Sequence, residues 1–341
     1  EAFNARRKDG FEPGSKLCVD ESRIRWLGKD AYYAGGAFFV SNEPLKPDSV
    51  AMELKNLADA ATGIMLRLEI VCNKHENQAR RFVQEYDAGT GYLLRLTEDY
   101  WTSGRTVVAD SYFSSVKAAI ALKSRGLFLI GSVKRSSAEF PKRYLNQVAL
   151  QRKGDHKVLT STDSLRAVVW YDRKRFLFVA PCETTLDGKP ARKRRCENLE
   201  NGLTRYYFKE RKRPRIVEAY HDGAQAIDVH NHLRADLQLI RRTKRWQLRF
   251  FHGILGMCIV DAYLAIRYFD GAHAFDTIPS FAAALCEGLL NEHSSTIAET
   301  PEEGHHQARA LSRARYYAPK VASAREAGAR FRPNLRCKVC G

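Results

Sequence analysis

From Lys16 to Trp26 apolar and polar side chains alternate, with Val19, Ile24 and Trp26 among charged neighbours. This period of two predicts a strand or bent strand pair with Asp20 inside it. Two further strand-like runs follow, Ala51 to Asp59 and Gly63 to Val71, and then a polar amphipathic stretch, His75 to Tyr86, that predicts a helix. The segments Ala61 to Glu69 and Gly89 to Thr97 look alike and read as similar strand entries; no long internal repeat is present. Arg105 to Ala109 is a short β-branched run of the kind covered on both sheet faces, and Asp110 comes directly after it. Ser114 or Ser115 can cap a helix from Val116 to Lys123, which ends at Gly126 and leads to another buried-strand run, Leu127 to Gly131.

Beyond Pro141 the texture changes to short strands between polar turns. Ala167 to Ala180 reads as a hairpin turning at Asp172 to Arg175, where an aspartate is expected for local hydrogen bonding alone. Helical periodicity returns at Gln225 to Ile240 and from about Lys244 to Phe269, while Glu292 to His306 is polar and irregular and predicts a disordered loop. The order predicts an α/β fold in which a mixed sheet flanked by helices is interrupted by a β-rich insertion and followed by a helical C-terminal part. The expected division is 1–136 and 215–240 for the sheet domain, 137–214 for the insertion, 241–290 for a helical region, and 291–341 for a loop-rich tail.

The 341 residues suffice for a substantial core. Composition adds a constraint: 56 Lys and Arg against 39 Asp and Glu give a formal charge of +17, which predicts a polyanionic partner. The eight cysteines are mostly isolated, the pattern of reduced thiols rather than of a disulfide framework. The longest apolar run, Phe250 to Val260, has 11 residues, short of a membrane span, so no membrane partner is expected. Glu-Ala-Phe-Asn at the start and Cys337-Lys-Val-Cys340-Gly at the end read as cut ends of a longer chain.

The carboxylates suggest chemistry. Open α/β sheets place their sites at the carboxyl ends of strands, where Asp20 and Asp110 can converge. Asp228 opens a predicted helix and shares a face with Asn231 and His232. Three acids from distant segments suit Mg²⁺, which takes few carboxylates plus water and phosphate oxygens, and two such ions can serve an in-line phosphodiester displacement. His230 and His232, at i and i+2 on a helix, point apart and read as ordinary polar helix residues.

The ordered motifs Val19-Asp-Glu-Ser22, Asp110-Ser-Tyr-Phe-Ser-Ser115, Trp170-Tyr-Asp172, Tyr220 followed by Ile227-Asp228, and Lys244-Arg-Trp246 resemble those of piggyBac-type DNA transposases, over about residues 10 to 270. The resemblance implies an RNase H-like catalytic domain with an insertion. It also implies cut-and-paste transposition at TTAA targets in the nucleus, a homodimer on double-stranded DNA, and no organic cofactor. It places Asp20, Asp110 and Asp228 as a triad for two Mg²⁺ ions, with Mn²⁺ as substitute, and Asn231 where the family carries a further aspartate. Two departures accompany it: Tyr220-His221-Asp222 replaces an Asn-containing motif, and Asp261 stands where an amide is expected. A catalytically silent DNA binder derived from a transposase is the alternative reading. Cys337 and Cys340 resemble the opening of the family's zinc-binding tail and supply half of a tetrahedral site, so Zn²⁺ requires the motif to be completed.

Basic runs supply the expected DNA contacts. From Arg192 to Arg213 nine Lys and Arg face three Glu, interleaved with Tyr206, Tyr207 and Phe208. Arg192, Lys193, Arg194, Arg195, Arg211, Lys212 and Arg213 are therefore candidates for phosphate contact, and the two runs also fit nuclear-import patches. Arg241, Arg242, Lys244 and Arg245, with Arg249 beyond them, form a second stripe, whereas Trp246 suits core packing as well as base stacking.

Overall fold

The computed structural model describes residues 2–28, 36–134, 139–181, 188–198, 203–237, 243–270 and 275–296. In chain order the first elements are α1 (Ala2–Gly10), β1 (Lys16–Arg25), β2 (Ser41–Asn42), β3 (Val50–Asp59), β4 (Met65–Ile70), α2 (Lys74–Gln78) and α3 (Ala88–Thr97). There follow β5 (Thr106–Ala109), α4 (Val116–Lys123), β6 (Phe128–Ser132), α5 (Lys142–Gln147), β7 (His156–Thr160), β8 (Leu165–Tyr171) and β9 (Arg175–Pro181). Last come β10 (Ala191–Asn198), β11 (Thr204–Arg211), α6 (Arg215–Gly223), α7 (Ala226–Asp236), α8 (Trp246–Phe269) and α9 (Ile278–Thr296). The chain divides into two units, one ending at Ile278 and one beginning at Pro279 that contains nearly all of α9.

Nine strands of the first unit form one mixed sheet in the order β2-β3-β1-β5-β6-β9-β8-β7, with β4 also pairing β3. Among the described strands, the pairs β1–β5 and β5–β6 are parallel and the other pairs antiparallel. Alternation along the strands sorts the two faces. Leu17, Val19, Val107 and Ala109 point into a core built with α3 and α4, through Tyr92, Leu93, Leu96, Ala118 and Leu122. On the other face Val108 meets Ile216 and Val217 of α6, and Cys18 meets Ile227 of α7. Ile24 shares that second face and packs with Met257 of α8. A Cβ on Gly253 would come within 2.3 Å of the Ile24 side chain, so a glycine is required where α8 crosses β1.

Several expectations change. Gly89 to Thr97 is helix α3 rather than a strand entry: Asp87 caps it, accepting from the Thr90 N–H at 2.8 Å and its hydroxyl at 2.9 Å. A continuous apolar run does not by itself distinguish a buried helix from a buried strand. Only four residues of the expected His75–Tyr86 helix are helical, within α2. Beyond them Arg80 pairs with Glu69, while Phe82, at φ 69°, stacks edge-on against Trp101. Strands β7 to β9 extend the main sheet through β6, so within 137–214 the part standing outside it is the β10–β11 ribbon. At the ribbon's base Arg211 and Asp172 form a buried ion pair. The helix α9 continues through Thr296 into the segment expected to be irregular; 297–306 lies outside the described residues.

Helix α8 spans 24 residues and is long and apolar enough to cross a membrane, more than the 11-residue run suggested. Within it Gly256, Met257, Val260, Asp261 and Tyr263 are buried, while Leu248, Phe251, Leu255, Tyr268 and Phe269 are exposed. Trp246 at its start is a packing residue, edge-on to Phe38 at 5.4 Å. Among the described cysteines all are free thiols; Cys18 and Cys72 are buried, and burial pushes the Cys18 thiol up to about 12.

Candidate metal and DNA site

Parallel pairing brings Val19 of β1 opposite Ala109 of β5. The next residue in each case is an aspartate, so Asp20, midway along β1, sits beside Asp110, which directly follows the last residue of β5, about 4.8 Å apart in the pairing direction. Asp20 shares the parity of Cys18, Ser22 and Ile24 and therefore faces the side covered by α7 and α8. There α7, anchored by Ile227 in the core, presents Asp228 from its first turn. All three carboxylates line one cleft of about 780 Å³. The backbone fixes two of them: the Glu21 N–H donates to Asp20 Oδ1 and the Tyr112 N–H to Asp110 Oδ1, both at 2.8 Å.

Like charges in a partly buried cleft oppose ionisation. Burial pushes the Asp20 carboxyl up to about 8, and Glu21, Asp110 and Asp228 push it the same way against the Glu21 N–H. Burial also raises Asp110, opposed by the Tyr112 N–H and by Lys55 and Lys134. Glu21 behaves differently: burial is overcome by Lys55 and Lys46, which hold its carboxyl below the usual range. Lys55 Nζ is itself buried, 2.6 Å from Glu53 and 3.7 Å from Glu21, over the face of Tyr112 at 4.2 Å. These buried charges on β3 carry no motif, and the signal for them is charged residues within a strand whose other positions are apolar.

Among the described residues no three His, Cys, Asp or Glu side chains are drawn together tightly enough to hold an ion unaided. The acids share the walls of the cleft, an arrangement that leaves coordination positions to water and phosphate oxygens, as Mg²⁺ favours. Three carboxylates with room for water and phosphate oxygens are an all-oxygen donor set, which fits a hard divalent cation.

Asn231, the expected fourth ligand, is engaged within the protein. Its Oδ1 accepts from Ser22 Oγ at 2.7 Å and from Arg234 at 3.5 Å, and its Nδ2 donates to the Glu21 carbonyl at 3.1 Å. Ser22 Oγ also touches the Asn56 amide, so Asn231 ties α7 to β1 and β3 rather than offering a free oxygen. His230 is likewise no ordinary surface residue. It is fully buried, with Nε2 3.2 Å from Asp261 Oδ1.

The expected DNA contacts divide. Arg192 and Arg194 are exposed on β10 and lie over Phe208 (4.6 Å) and Tyr206 (4.0 Å) of β11. Arg195 is half-buried and Lys212 exposed, while Lys244 and Arg245 are exposed just before α8. Arg211 is buried against Asp172 and is removed from the DNA-contacting set, because its charge is already spent. Arg213 donates to the Lys189 carbonyl at 2.8 Å and lies 3.7 Å from Glu218. The Lys193 side chain, Arg241, Arg242, Cys337 and Cys340 lie outside the described residues.

A family model described as Transposase IS4 matches residues 1–263. The chain belongs to this transposase family, and within it to the piggyBac type. Its fold is similar to a cryo-EM structure of a piggyBac transposase synaptic complex with hairpin DNA, at TM-score 0.69 and 17% identity. The likeness covers 91% of this chain and 59% of that one, so the chain spans about three-fifths of its structural relative.

The raised Asp20 carries a testable sign. Its folded-state value lies above the ordinary 3.8, so the metal-free folded protein binds the extra proton between those values. Stability then falls as pH rises from about 4 to about 8 on account of this group. Denaturant midpoints in a chelator should show a shallower fall for Asp20→Asn than for the unmodified chain. Parallel profiles would remove Asp20 as the origin.

Proposed function

We propose that the chain is a cut-and-paste DNA transposase whose RNase H-like core cleaves and joins phosphodiesters with Asp20, Asp110 and Asp228. The observation that carries this reading is the meeting of three acids from distant segments in one cleft. Those residues would hold two Mg²⁺ ions, or Mn²⁺ in their place. The bound metal supplies an activated water or 3′ hydroxyl and charge neutralisation at the phosphate.

The chain's own residues position the chemistry. Backbone N–H groups fix the Asp20 and Asp110 carboxylates, and Asn231 holds α7, hence Asp228, against β1. The Lys55 and Lys46 charges keep Glu21 ionised beside Asp20 and limit the negative field of the cleft. The partner proposed is double-stranded DNA at transposon ends with TTAA targets, bound by a homodimer in the nucleus. The 341-residue chain incubated with a TTAA-bearing plasmid and Mg²⁺ or Mn²⁺ should nick it, and a chelator should stop the reaction. No cleavage with either metal, with DNA binding retained, would leave the silent binder, a reading favoured by the engagement of Asn231 Oδ1 with Ser22.

The ribbon is the proposed backbone-contacting arm. Its arginines are pre-arranged on aromatic faces and exposed, which suits phosphate contact without sequence readout. Reversing both charges, Arg192→Glu with Arg194→Glu, should weaken duplex binding by about tenfold or more at low salt. A gel-shift titration showing unchanged affinity would exclude the ribbon from the interface.

A further inference from the structure

The cleft contains two chemistries. Acids occupy its strand-end floor, while the wall shared by α7 and α8 carries Arg234, Arg249 and His252. Arg234 lies six residues after Asp228 on the same helix, about 9 Å along its axis. Its Nη2 donates to the Arg23 carbonyl at 2.7 Å and reaches Asn231 Oδ1 at 3.5 Å, whereas its Nη1 is shut off from solvent with no hydrogen-bond partner. Arg249 is anchored in the same way, Nε to the Arg25 carbonyl at 2.9 Å. His252 Nδ1 is also buried without a partner.

Both guanidinium groups are thus oriented by neutral carbonyl oxygens, and among the described residues neither forms a direct ion pair with a carboxylate. Burial lowers the Arg234 pKa to about 10 against the pull of Asp48, and the Arg249 charge lowers it further. A buried charge without a direct ion-pair partner, as on Arg234, is costly, and an arginine fork matches the paired oxygens of a phosphate. The carboxylates at the other end of the cleft repel a free anion. A polymer whose phosphates recur at roughly 3.4 Å of rise per strand can satisfy both ends at once.

We propose that Arg234, Arg249 and His252 form a phosphate-binding subsite that grips an internucleotide phosphate of the DNA strand led to the carboxylates. This rests on the reading of the cleft as a DNA-cleaving centre. The subsite sets the strand's register relative to Asp228, one or a few nucleotides from the reacting phosphate.

Anisotropy of a labelled duplex titrated with the full chain between about 50 and 200 mM NaCl tests this. For Arg234→Gln with Arg249→Gln, affinity at low salt should fall by about tenfold and the slope of log Kd against log salt should drop by about one. A charge-matched control on exposed side chains, Arg143→Gln with Lys153→Gln, should keep the slope. If the double variant melts early, Arg249→Gln alone on its half-buried side chain should show the same fall in slope.

An unchanged slope overturns the subsite, and if the unmodified chain still cleaves with metal, the function stands without it. Failure of the unmodified chain to bind duplex overturns both. Sodium phosphate that raises the Tm of the unmodified chain but not of the variant, at matched ionic strength and with an unchanged DNA slope, assigns the site to a free anion and overturns the strand contact.

Discussion

Replacing Asp110 by alanine is expected to slow metal-dependent DNA cleavage by about 10³-fold, roughly 4 kcal/mol of barrier. The side chain sits where β5 ends, beside Asp20 on β1, and its carboxylate is fixed by the Tyr112 N–H. Removing it takes away one of three acids facing the cleft and shifts the local balance toward Lys55 and Lys134, which act on the same point. The structural loss is small by comparison: one backbone N–H at a half-exposed position, about 1 kcal/mol. Rate and stability therefore separate. Single-turnover cleavage of a labelled duplex at saturating metal, read beside a denaturant melt, checks this. Equal rates in both proteins would reject Asp110 as a metal-holding residue and move the chemistry elsewhere.

The placement of Asp110 was legible because a four-residue β-branched strand leaves little choice of register, and the acid following it must lie at the sheet's edge. Asp20 was legible as a polar position within an alternating strand, and its convergence with Asp110 follows from the parallel pairing of β1 with the short β5. Asp228 needed only a helix start. What pattern could not supply was whatever tertiary packing decides. The run Gly89 to Thr97 became a helix because Asp87 caps it and both of its sides are covered. Arg211 looked like one more member of a basic run until Asp172, 39 positions earlier by the numbering, claimed it in the interior. Asn231 had the position of a ligand, yet its oxygen is taken by Ser22 from a strand 209 residues away. Arg234 and Lys55 had no motif at all; their roles come from burial, which a single sequence does not record.

The second large effect is on stability. Asp261, in the middle of α8, is buried, and three groups from three elements depend on it. Arg7 of α1 donates to Oδ2 at 2.5 Å, the Met65 N–H of β4 donates to Oδ1 at 2.9 Å, and His230 Nε2 of α7 lies 3.2 Å from the same oxygen. The other ring nitrogen of His230 is buried without a partner, so Nε2 is the atom that must carry the hydrogen to meet a carboxylate. Asp261→Ala would strand a guanidinium, a backbone N–H and an imidazole N–H together, and the cost expected for breaking such a buried charge pair is about 3–5 kcal/mol. Asp261→Asn keeps one acceptor oxygen for Met65 or His230 and loses the charge facing Arg7, so its cost should be about half as large. Urea titrations of the three proteins measure both differences. An alanine variant within about 1 kcal/mol of the unmodified chain would mean the network adds nothing net to stability. Because His230 lies two residues after Asp228 on the same helix, the alanine variant should also weaken cleavage at temperatures where it remains folded, and the asparagine variant less so.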